Sequence, residues 1–139
     1  MLVFLDANIL FSAAQQGSPS RQFVELLARH TSLITHPGVW EEAERNLRSK
    51  RPQWMDGFAG LSLLVALQNR ISDCPEVGLP PKDRPVLGAA IGARADCLVT
   101  GDRSHFGPLF GKTLEGVQVV SPQLMVEEMK TRGWLPGPE

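Results

Sequence analysis

Three aspartates stand where a chain of alternating strands and helices would turn over. Asp6 closes the apolar run Leu2-Val3-Phe4-Leu5, Asp102 follows Cys97-Leu98-Val99-Thr100-Gly101, and Asp83 opens the apolar segment from Arg84 to Ala93. Clustered carboxylates repel one another and raise each other's pKa unless a cation compensates, and their hard oxygens suit Mg²⁺ or Mn²⁺. The chemistry open to such a set is cation binding and, through it, activation of water towards a phosphate. Each aspartate also has a simpler role as a helix N-cap contributing about 1 kcal/mol. For any one alone capping is the better reading; three converging on one edge favour the cation.

A fourth acid lies in Val39-Trp-Glu-Glu-Ala-Glu-Arg-Asn-Leu47. At about 100° per residue, Val39, Trp40, Ala43 and Leu47 share one side, which puts Glu41 on the solvated side and Glu42 and Glu44 on the two flanks. Phase does not choose between those two, and all three have an ordinary alternative in exposed pairing with Arg45 and Arg48. Asn8, two residues after Asp6, is placed either to orient a carboxylate or to close the turn through the backbone. Thr100 either supports the same site or simply ends a strand. His30, His36 and His105 have no mutual spacing that indicates metal ligation and read as surface or satisfied histidines.

These residues need a scaffold that brings distant positions together. Short apolar runs at Met1 to Leu5, Ser32 to Thr35, around Arg70 to Ser72, Asp96 to Thr100 and Val117 to Val120 predict about five strands. Between them, helical spacing follows the Ser18-Pro19 start signal through Phe23, Leu26, Leu27 and His30. It recurs at Trp54, Phe58, Leu61 and Val65, and in Arg84 to Ala93, which is apolar almost all round. Strands alternating with helices imply a parallel sheet with right-handed crossovers, hence an α/β/α sandwich. Ligands bind such sheets beyond the carboxyl ends of the strands, where strand order reverses. Asp6 and Asp102 fall on that edge, and a helix packed antiparallel to its strand brings Asp83 back beside Asp102.

A chain of 139 residues, 42% hydrophobic, suits one domain. We expect it over residues 1–132, with 133–139, rich in proline and glycine, as a flexible tail. No run is long enough to span a membrane and no signal-peptide pattern opens the chain, so the expectation is a cytoplasmic protein. Cys74 and Cys97 have no metal-binding or disulfide spacing. A net charge of −1 argues against the broad basic surface of many nucleic-acid-binding modules, though not against a protein that holds a phosphate chain through a metal ion.

The strand into LDANIL, the Pro-x-Val-Trp-x-Glu helix, DRPVLGAAIGARADCLVTGD and the late VQVVSPQLM together resemble a PIN domain of the small prokaryotic kind. They are similar to VapC toxins of toxin-antitoxin pairs, over Leu2 to about Met129. The most specific part is Asp83 to Asp102. The resemblance implies a three-layer α/β/α fold and a Mg²⁺- or Mn²⁺-dependent ribonuclease, inhibited by a small antitoxin protein. It implies Asp6, Glu42, Asp83 and Asp102 as metal and catalytic residues, with Asn8 and Thr100 in support. Glu42 rather than Glu44 matches the family's offset, although an alanine here follows where leucine is common. Lys82, Arg84, Arg103 and Arg45, near the rim, would bind flanking RNA phosphates.

Two other functions compete. A PIN-fold module that binds RNA or protein without cutting would keep the acids without needing them. A phosphatase with nucleophilic Asp6 is disfavoured, because Asp6-Ala7-Asn8 lacks a second acid two residues on. The oligomeric state is open: exposed apolar residues between Trp54 and Leu67 would support a homodimer, with Trp54 or Phe58 at its interface, and a buried helix fits the same pattern.

Overall fold

The computed structural model describes residues 1–135. Six strands form one sheet: β1 (Leu2–Leu5), β2 (Ser32–Thr35), β3 (Val65–Leu67), β4 (Cys97–Val99), β5 (Thr113–Leu114) and β6 (Val117–Val120), in the order β3-β2-β1-β4-β6-β5. All neighbouring pairs are parallel except β5 with β6. The helices are α1 (Ala7–Ala13), α2 (Pro19–His30), α3 (Pro37–Lys50), α4 (Met55–Leu61), α5 (Arg84–Gly92), α6 (Arg103–Phe106) and α7 (Pro122–Thr131). The fold is the expected α/β type, a mostly parallel sheet flanked by helices.

The central strands are continuous apolar runs because helices cover both faces of the sheet. Val3, Phe4, Leu5, Leu98 and Val99 are fully buried, each side chain contributing on the order of 1.5 to 3 kcal/mol. After β1 the chain builds outward through β2 and β3, then returns to lay β4 on the other side of β1. Strand order therefore reverses between β1 and β4, and the carboxyl ends of these two strands carry Asp6 and Asp102. Arg21 ties α1 to its neighbours, donating from Nη1 to the carbonyls of Ala13 (3.3 Å) and Gly57 (2.8 Å). A Cβ on Gly57 would sit 2.0 Å from the Ala14 carbonyl oxygen, so only glycine permits this approach.

Two expectations need correction. The strand expected around Arg70 to Ser72 is instead β3, five residues earlier, where the apolar triplet Val65-Ala66-Leu67 pairs with Leu33, Ile34 and Thr35. The segment 70–72 has a single apolar residue and docks on α5: Ser72 N donates to the Gly88 carbonyl at 2.9 Å, and the missing side chains of Gly88 and Gly92 make room for it. The helical spacing from Trp54 to Val65 likewise breaks at Leu61. Phe58 is core, and the exposed large apolar side chains that follow it in the chain are Leu63, Leu67 and Ile71.

Of the expected tail, Trp134 stacks on His30 with ring centroids 5.1 Å apart, while residues 136–139 lie outside the described ones. Among the described residues, no helix is long and apolar enough to cross a membrane.

Candidate metal centre

Asp6 leaves β1 with its backbone N–H bonded to the Val99 carbonyl of β4 (3.0 Å), so the two strand ends are locked together at the site. Its carboxylate accepts from Ala7 N (2.7 Å), Thr100 Oγ1 (2.8 Å) and Asn8 Nδ2 (3.3 Å). Asn8 also accepts from Gly101 N at 2.8 Å. It thus orients the acid and also ties the segment after β1 to the segment after β4, rather than closing its own turn. Thr100 is fully buried, and its hydroxyl oxygen accepts from Asp102 N at 3.2 Å.

Burial is the main reason the Asp6 carboxyl is pushed up to about 6; Thr100 and Ala7 oppose the shift, and the charges of Glu42 and Asp83 add to it. A nearby cation would reverse that penalty.

Asp83 precedes α5, and its side chain makes no capping hydrogen bond. Asp102 does cap α6, accepting from His105 N at 3.1 Å. Capping therefore accounts for part of what Asp6 and Asp102 do and for nothing that the Asp83 side chain does. The nineteen positions between Asp83 and Asp102 are bridged by one imidazole. His105 Nδ1 lies 2.8 Å from Asp83 Oδ2 and 3.0 Å from Asp102 Oδ2.

His105, expected to be a surface or satisfied histidine, is part-exposed and stands between the two carboxylates. His36 does behave as an ordinary cap, accepting from Gly38 N at 2.9 Å.

Glu42 lines the same cleft, a cavity of about 640 Å³ that also meets Asp6, Asp83 and Asp102. Glu44 is turned away into a pair with Arg48 at 3.6 Å. Of the expected phosphate-binding residues, Lys82 lines the cleft. Arg45 borders an adjoining hollow together with Glu42 and Lys82. Arg84 donates to the Cys74 carbonyl at 2.8 Å and pairs with Glu76, so it is committed to the loop; Arg103 is exposed outside the cleft. Lys50 and Arg51 line the cleft and escaped the sequence reading. The signal for Lys50 was the spacing of four through Glu42, Asn46 and Lys50, which places all three on one face of α3.

The donor set fits a hard divalent ion. Asp83 Oδ2 and His105 Nδ1 are both shielded from solvent without a hydrogen-bond partner. Their 2.8 Å approach is an ion-pair distance, but their mutual orientation is not that of a hydrogen bond. Buried polar atoms are rarely left so, and an ion is one of the few things that satisfies them.

The sequence profile of the PIN domain family matches residues 2–104. The chain belongs to the PIN domain family. No curated protein matches it in sequence. Among solved structures, this PIN domain is similar to a chain of VapBC2 from Rickettsia felis, determined bound to a DNA fragment from its promoter. The two share 16% identity with a TM-score of 0.64, over 87% of this chain and 98% of the other, a likeness of fold. The profile match contains Asp6, Glu42, Asp83 and Asp102.

Proposed function

We propose that this PIN domain is a Mg²⁺- or Mn²⁺-dependent endoribonuclease and the toxin half of a toxin-antitoxin pair. The observation that carries the reading is the gathering of Asp6, Glu42, Asp83 and Asp102 on one 640 Å³ cleft at the switch point of the sheet. A divalent ion held by these carboxylates supplies charge neutralisation of the phosphate and acidification of water.

The chain's own groups do the rest. Asp6, fixed by Thr100, Asn8 and Ala7, presents a rigid carboxylate and, with Asp102, forms the principal binding pair. Asp83 and Glu42 complete the cradle directly or through water. One of the four carboxylates accepts the proton of the attacking water as its oxygen bonds to phosphorus and the P–O bond to the leaving ribose oxygen breaks. Lys50, Arg51 and Lys82, on the cleft wall, hold flanking phosphates, the lysines as point charges and the arginine through its planar fork.

The antitoxin part of the proposal draws on the fold shared with VapBC2. A second groove of about 530 Å³, with Ile9, Phe23 and Val126 in its apolar wall, meets the acidic cleft at Asn8, Ser12 and Gly101. A partner segment seated there would reach the cleft.

The test is incubation of the purified, partner-free protein with a mixed RNA pool in Mn²⁺ and in EDTA. Cutting only with the metal is expected. Intact RNA in both lanes, from protein shown to be folded, would favour a non-catalytic module.

The two flanking glutamates give a separate check. By calorimetry, Glu42→Gln is expected to weaken Mn²⁺ binding about tenfold, while Glu44→Gln, which loses only an exposed pair, leaves it within about twofold.

A further inference from the structure

We propose that His105 Nδ1 is a direct ligand of the cation, alongside Asp83 and Asp102, and that this nitrogen makes the centre prefer Mn²⁺ to Mg²⁺. The inference rests on the metal-dependent reading above and adds to it a ligand and a metal preference. One donor atom from each of the three residues lies within 4.8 Å of the other two. Nδ1 stands 2.8 Å from one carboxylate oxygen and 3.0 Å from the other. Donors about 2.1 Å from an ion in octahedral array lie about 3 Å apart along each edge, so these separations suit neighbouring ligands of one ion. Hydrogen bonds have the same lengths, but neither Nδ1 nor Asp83 Oδ2 has a hydrogen-bond partner, although both are shielded from water.

Local structure explains why the ring is there. Asp102 caps α6, and the helix places residue 105 over its own cap, so that Asp102 Oδ1 takes the His105 backbone N–H while Oδ2 faces the ring. The imidazole therefore points at the carboxylates without any long-range contact to aim it. Mg²⁺ gives up water reluctantly and is held almost wholly by oxygen, and Mn²⁺, although it also suits oxygen donors, is a first-row transition ion that accepts an imidazole nitrogen more readily than Mg²⁺ does. A nitrogen in the first coordination sphere therefore shifts the balance towards Mn²⁺.

The competing arrangement is an imidazolium bridging two carboxylates in the metal-free protein and displaced when the ion enters. Pulsed electron paramagnetic resonance of the Mn²⁺-loaded wild type separates the two. Nitrogen coupling to the ion, absent from His105→Asn, is expected. Calorimetry with Mn²⁺ and Mg²⁺ should show the wild type's preference for Mn²⁺ falling about tenfold in His105→Asn and in His105→Ala, each checked for folding by circular dichroism.

A wild type that binds Mn²⁺ and cuts RNA without nitrogen coupling would overturn this inference alone, as would a preference unchanged in both variants. A wild type that binds neither ion would overturn the metal reading with it.

Discussion

Asp102→Asn is expected to slow metal-dependent RNA cleavage by at least about 10³-fold, or about 4 kcal/mol of transition-state stabilisation, while the protein stays folded. The two halves of this result come from different atoms of one side chain. Oδ1 caps α6 through the His105 N–H, and asparagine caps about as well as aspartate, so the melting transition should move by no more than about 1 kcal/mol. Oδ2 faces His105 Nδ1, the residue lines the cleft, and an amide in its place removes the negative charge. Initial cleavage rates and thermal melts on the same preparation check both halves. Cleavage within tenfold of wild type would show that Asp102 is only a cap.

The second large effect has the opposite sign on stability. Metal-free Asp6→Asn is expected to be more stable than metal-free wild type at pH 7.5 by about 2 kcal/mol. The folded protein holds the Asp6 proton more tightly than the unfolded chain does, with the carboxyl raised from 3.8 to about 6. Its neutral form therefore supports the fold fully below about pH 3.8, and that support is lost as the pH rises through about 6. Two pKa units correspond to about 3 kcal/mol. Asparagine offers one acceptor oxygen where aspartate uses two, for Ala7 N and for Thr100 Oγ1, which returns about 1 kcal/mol of the gain. Denaturant melts in EDTA should show the advantage of Asp6→Asn growing between pH 4 and pH 7 and absent at pH 4. In Mn²⁺ the order should reverse, because only the wild type gains from the ion. An advantage that ignores pH would mean that the cost of Asp6 is not its charge.

The acids were legible because of where they stand. Asp6 and Asp102 interrupt apolar runs, and once parallel strands are inferred both must lie on one edge of the sheet. Asp83 could be placed beside them because a helix packed antiparallel to its strand returns to the same end. Helical phase left Glu42 and Glu44 open because both flank the apolar stripe. The folded chain separates them by giving Glu44 a partner in Arg48 and leaving Glu42 on the cleft.

His105 was hidden for a different reason. Its approach to Asp102 depends on α6, four residues long and too short to leave a periodic pattern, and its approach to Asp83 depends on the whole β4–α5 arrangement. The shift of β3 from 70–72 to 65–67 reflects the weakness of a single isoleucine as a strand signal beside a glycine-lined helix that the same segment can dock on. The small strand β5 escaped because its two-residue turn to β6 uses Glu115 and Gly116, both at positive φ (49° and 85°). Asparagine or aspartate before the glycine is the usual mark of such a turn.

On the metal-dependent reading these acids exist to hold a cation. Calorimetric titration of Mn²⁺ into chelator-stripped wild type and into the Asp6→Asn, Asp102→Asn double variant tests it most directly. Saturable binding by the wild type, weakened at least about 100-fold in the double variant, is the predicted result. Equal binding by the two proteins, or none by the folded wild type, would contradict the claim and return the three aspartates to the role of helix caps and buried turn residues.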